Sequence, residues 1–176
     1  MIEFQEKIHS HLSTYKEALA DYTELQFETQ PHPQAWSLAQ MYEHLLVSSH
    51  FFMRQIQKCL KKEKGQPEGS KNEAGENVYK YKSFPPIKIK PPQAYEVVME
   101  ARPKSEYLSQ LTAIDEAYQN ILELVLKDEG NYKVLHAAFG WLNAQEWYMM
   151  QEIHLKHHFR QKKGIRRIFG QVTELF

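Results

Sequence analysis

The sequence predicts an all-α protein: a four-helix bundle with a long connection between its second and third helices. Three observations predict it. Four stretches carry apolar residues at alternating spacings of three and four, the mark of a helix with one buried face. No stretch makes a convincing strand, and no internal repeat is present. The breaks between the stretches fall at proline- and glycine-bearing runs, where helices stop.

At 176 residues the chain is expected to form one domain, 1–176, large enough for a substantial core. It is 42% hydrophobic and 25% charged, ordinary for a globular protein. Lys+Arg and Asp+Glu both number 22, so the net charge is zero. That balance argues against broad attraction to nucleic acid or to an anionic membrane. No run of about 18 apolar residues exists, so no membrane span is expected. Met1 to Lys7 lacks a basic region followed by an apolar one, so no signal peptide is read there. The single cysteine, Cys59, cannot form an internal disulfide. These points lead to a cytoplasmic expectation.

The first helix is expected over residues 2 to about 27, with Phe4, Ile8, Leu12, Tyr15, Leu19, Tyr22 and Leu25 along one stripe. His9 and His11 fall at or beyond its edge and read as surface residues. Pro31 and Pro33 stop it. Ser37 and Gln40 then match a capping box opening the second helix, expected to run to about Lys62. Leu38, Met41, Leu45, Phe52, Ile56 and Cys59 make its apolar face, with His44 at the inward edge and His50 elsewhere.

Residues 64 to about 102 break the pattern. The stretch from Gly65 to Gly75 is polar and glycine-bearing, and Ser83 to Pro92 is proline-rich. So long a structureless run in a compact domain is usually functional or disordered. Residues 64–92 are therefore expected to form a mobile or lid-like insert, with Tyr79, Tyr81, Phe84 and Ile87 as apolar anchors.

The third helix is expected from Pro103 to about Asp128, with Gly130 as a left-handed cap. Its stripe holds no histidine, so it reads as a packing element. Residues 131–142 read as an apolar connection. Asn143 and Glu146 start the fourth helix, whose inward row is Trp147, Met150, His154, His158, Gln161 and Ile165. The basic residues from Arg160 to Arg167 read as a solvated tail near the negative end of the helix dipole.

Residues four apart on a helix sit one above the other, so His154 and His158 can share one metal ion. Inward imidazoles left unpaired are costly, and a metal answers that cost. With His44 on a facing helix, a three-histidine site is the expected centre, and histidines that only pack are its rival. The row is not His-Glu-x-x-His: Leu155 stands where that motif has its general-base glutamate, which disfavours a peptidase. It lacks the inward glutamates of di-iron bundles. Glu43 and Glu152 adjoin the histidines in sequence but are pointed elsewhere by helical geometry. Gln40 and Gln161 lie on the ligand rows and are candidate substrate or cofactor contacts. Three neutral imidazoles suit zinc or nickel and tolerate iron. Such a site can activate water, polarise a carbonyl or hold a thiolate.

Two blocks carry a family resemblance: Trp36-Ser-Leu-Ala-Gln-Met-Tyr-Glu-His44, and Gly140-Trp-Leu-Asn-Ala-Gln-Glu-Trp147 leading into His154-Leu-Lys-His-His158. Together they resemble the Trp-Ser…His and His-x-x-His-His signatures of the DinB-like (DinB/YfiT-like) superfamily of metal-dependent enzymes. The resemblance implies a bundle with a divalent metal, often zinc or nickel, held by His44, His154 and His158, with His157 outside the ligand set. It also implies a homodimer and, by analogy with some members, use of a low-molecular-weight thiol. The family name implies no nucleic-acid binding. The insert at 64–92 departs from the pattern, so no member's substrate transfers directly. The expectation is a metal-dependent thiol S-transferase or hydrolase acting on a small molecule. A non-catalytic ligand-binding bundle is its alternative.

Overall fold

The computed structural model describes residues 1–30, 35–85 and 102–173, and side chains as far as Phe159. The chain is mostly helical. Helix α1 spans Ile2–Ala18 and buries Phe4, Ile8, Leu12 and Tyr15, as its stripe requires. It does not continue to residue 27. A short 3-10 turn, Leu19–Asp21, follows, and the separate helix α2 covers Glu24–Glu28. The apolar spacing runs through this break, but Thr23 restarts the helix. Its hydroxyl accepts from the Gln26 N–H, and the Gln26 side chain accepts from the Thr23 N–H.

Helix α3, Leu38–Lys61, begins at the Ser37–Gln40 capping box and buries every residue of its expected apolar face. Helix α5, Lys104–Lys127, follows Pro103 and buries Tyr107, Leu111, Ile114, Tyr118, Ile121 and Val125. Helix α6, Ala144–Thr173, opens at Asn143 and Glu146, each side chain accepting from the other's backbone N–H. Both α1 and α3 pack against α5 and α6. Buried tyrosines tie these helices through backbone carbonyls: Tyr15 donates to Leu155, Tyr42 to Tyr15 and Tyr148 to Tyr118. A hydrogen bond of this kind contributes about 1 kcal/mol, and an unpaired hydroxyl would cost more. No helix among the described residues is long and apolar enough to cross a membrane.

Two expectations are corrected between the long helices. Residues 64–85 are not structureless, for they contain helix α4, Glu73–Tyr81, capped by Asn72. The apolar connection before α6 is not strandless either. Strands β1, Lys133–His136, and β2, Gly140–Asn143, form an antiparallel hairpin pairing Val134 with Leu142 and His136 with Gly140. Each element supplies the other's missing partner. The backbone N–H of Trp141 donates to Ser70, and that of Asn72 donates to Phe139. A side chain at Gly75 would meet the Phe139 carbonyl at 2.3 Å, so the close approach requires glycine. Gly140 has a φ of +83°, which suits the residue returning from the hairpin turn. The part of the expected lid from residue 86 onward lies outside the described residues.

Candidate metal centre

Helices α3 and α6 face one another and bring His44, His154 and His158 to one point. His154 Nε2 lies 3.0 Å from His44 Nε2 and 3.1 Å from His158 Nε2. The three ligand atoms all lie within 4.8 Å of one another. His154 and His158 are buried, and His44 is half-buried. The helical repeat sets the first pair, and the inward edge of α3 sets the third member.

This cluster cannot satisfy itself. A neutral imidazole has one N–H and one lone pair. His154 Nε2 meets two ring nitrogens and can fully answer only one of them. Its Nδ1 is buried without a hydrogen-bond partner. Charging the ring is no remedy, because burial first, and then His158 and His44, hold His154 well below the usual histidine range. Burial also lowers His44, to about 4. His154 and His44 are therefore neutral imidazoles, the ligand form. Nitrogens bonded at about 2.0–2.1 Å stand roughly 3.3 Å apart around a tetrahedral ion and roughly 2.9 Å apart around an octahedral one. The two spacings at His154, 3.0 and 3.1 Å, lie between these values, and all three ligand atoms lie within 4.8 Å, so the residues can approach a first-row divalent ion together.

Aromatic rings surround the trio. Trp36 lies 5.0 Å from the His44 ring, Phe52 lies 5.3 Å from His154, and Phe84 lies 5.2 Å from His157. Both neighbouring glutamates are engaged elsewhere, as helical geometry requires. The buried carboxylate of Glu43 accepts from the Arg102 guanidinium, and that of Glu152 pairs with His11. His11 is therefore half-buried and partnered, not the surface residue expected, and His9 pairs with Asp115. Exposed His50 and buried Cys59 stand as expected. Burial pushes the Cys59 thiol up to about 12, which leaves it no nucleophilic role.

Gln40 uses its side-chain oxygen at the start of α3, accepting from Ser37 N–H and from Gln30. The side chain of Gln161, like those of Ile165 and the basic tail, lies outside the described residues. Sequence reasoning missed His136 and Phe139, because both sit on the hairpin that the linear pattern concealed. Two outer clefts, of about 510 and 390 Å³, are lined by α3–α5 and by α1–α5 residues and do not include the histidines.

Fold and cluster together define a mostly helical protein with a histidine trio able to hold a metal ion. The model of the DinB superfamily matches residues 8–161. The chain belongs to that superfamily, as the two sequence blocks imply. No curated protein matches it.

Proposed function

We propose that the four long helices act as a four-helix bundle whose purpose is the histidine centre, with His44, His154 and His158 holding one divalent ion. The observation that carries this is the convergence of three histidine ring nitrogens, with His154 Nε2 within 3.0 Å of His44 Nε2 and 3.1 Å of His158 Nε2. Imidazole ligands favour zinc or nickel, with iron admissible. An ion held by these three histidines would supply Lewis-acid chemistry.

The reaction we favour is transfer from a low-molecular-weight thiol to a small electrophilic substrate, with hydrolysis as the neighbouring reading. The reason is local. Glu43 is held by Arg102 and Glu152 by His11, so neither buried carboxylate beside the ligands is available as a general base. Thiol transfer makes less demand on such a base, because a thiol ionises far more readily than water. Trp36, Phe52 and Phe84 lie against the ligand rings and give the site an apolar border. Residues 82–85 lie against α6 through the Lys156 ammonium, which donates to the Lys82 carbonyl. We read the 64–92 insert as a lid-like element, the protein as a cytoplasmic homodimer, and Gln40 and Gln161 as substrate-side residues.

The test is elemental analysis of untagged protein beside a His44→Ala, His154→Ala, His158→Ala triple variant. About one divalent ion per chain, lost in the variant, supports the reading. A metal-free wild type after exposure to zinc and nickel overturns it in favour of a structural or ligand-binding bundle.

A further inference from the structure

His136 lies outside the trio and has no part in the reading above. It ends β1, and three observations constrain its ring. Its Nδ1 accepts the backbone N–H of Ala138 at 3.1 Å across the hairpin turn. Its face stacks on Phe139 at 4.4 Å, and its other neighbour is Trp147, at 5.1 Å. The turn is held in place by the Asn72 N–H on Phe139 and the Asn72 amide on the Ala138 carbonyl. An Nδ1 that accepts must leave the proton of a neutral ring on Nε2, on the ring edge away from the turn. Burial lowers the histidine to about 4, so the ring stays a neutral donor through the ordinary range of pH.

Two chains of packed rings link this donor to the metal centre. Trp147 packs against Phe52, and Phe52 packs against His154. Phe139 packs against Phe84, which also reaches His154. His136 is thus linked to His154 through two intervening rings on either path, Trp147 and Phe52 or Phe139 and Phe84, and its charge would lower the His154 pKa. The Trp147 indole N–H is fully buried with no partner, so a second donor borders the same rings. Two neutral N–H donors in an aromatic layer suit a group that accepts hydrogen bonds without carrying full charge.

Resting on the three-histidine reading, we propose that His136 is the substrate-orienting residue of the site, its Nε2–H binding an acceptor oxygen of the substrate. The substrate class this implies carries a carbonyl or related oxygen next to its reacting atom. A neutral imidazole donor favours such an oxygen, most of all as negative charge develops on it. The competing role is packing, with the ring merely filling the space between Phe139 and Trp147.

The experiment uses cobalt(II)-loaded protein, with the cobalt absorption spectrum as readout and two probes. Acetate can ligate through one oxygen and accept a hydrogen bond on the other. Imidazole, once ligated, has no acceptor left. Wild type, His136→Phe, His136→Leu and His136→Gln are compared. Loss of the donor in the Phe and Leu variants is expected to weaken acetate about tenfold, leaving imidazole affinity and cobalt stoichiometry unchanged. The Gln variant, which keeps an N–H donor, retains most of the acetate affinity. Equal acetate affinity in wild type and whichever apolar variant folds overturns the role of His136 and leaves the trio standing. Failure of the wild type to take up cobalt overturns the three-histidine reading, and the role of His136 with it.

Discussion

Two buried polar clusters lie on the same pair of helices, within a turn of one another, and they end differently. Ser49 on α3 donates to the Leu45 carbonyl and accepts from the Gln151 amide on α6. Tyr118 on α5 lies within hydrogen-bond distance of the Ser49 carbonyl and of Gln151 Oε1. This cluster closes: its donors and acceptors meet inside the protein. One turn further along α6, His154 meets two imidazoles and still leaves Nδ1 unpaired. A closed polar cluster is explained by folding alone. An open one at full burial costs stability, and an ion shared by the converging Nε2 lone pairs would offset that cost at those atoms, though not at Nδ1.

The sharpest way to break this contrast is to remove one member from each cluster. His154→Ala is expected to lower divalent-metal affinity by at least about 100-fold, more than loss of an outer-shell partner would, measured by competition with a chromogenic chelator. Unchanged affinity would place the metal elsewhere or nowhere. Saturating zinc or nickel should raise the unfolding free energy of the wild type by about 3–4 kcal/mol at concentrations 100 to 1,000 times Kd. The same addition should leave the triple histidine variant unmoved in a denaturant titration.

Gln151→Leu should behave in the opposite manner. It opens the closed cluster and should cost about 1–3 kcal/mol of stability, read from the shift of the urea midpoint, while the metal stoichiometry stays at the wild-type value. If Gln151→Leu also lost the metal, the two clusters would be one unit.

The smallest expected effect is a pH dependence. His136 is lowered to about 4 in the folded chain by burial, against an ordinary value near 6.5. Between those values the unfolded chain binds a proton that the folded chain does not. Stability is therefore full above about pH 6.5 and declines as pH falls toward 4. His136→Phe should flatten part of that decline in metal-free protein followed by circular dichroism. An identical slope in the variant would show that the histidine is charged in both states or in neither.

Much of the centre was legible in the chain because a helix is a one-dimensional device. The spacing of His154 and His158, and the position of His44 beside the Leu38–Met41–Leu45 row, determine which face each histidine shares. The start of α3 at Ser37 and that of α6 at Asn143 were equally readable, because a cap is an exchange between residues three apart. The break after Ala18 was not, since the apolar spacing continues through Tyr22 and Leu25 although the backbone turns. Nor was the Asp115 carboxylate that engages His9 and Lys16 from another helix.

What the sequence alone determined is thus the set of helical faces and the three imidazoles that share the interior, because both follow from a period of 3.6 residues. The tertiary structure alone decided that the polar run from Gly65 to Tyr81 folds against the hairpin, and that the rings packed on His136 meet the rings that touch the trio. That docking rests on backbone pairings such as Gln66 with Lys133 and Lys71 with Gly140, and no local spacing encodes a partner more than 60 residues away.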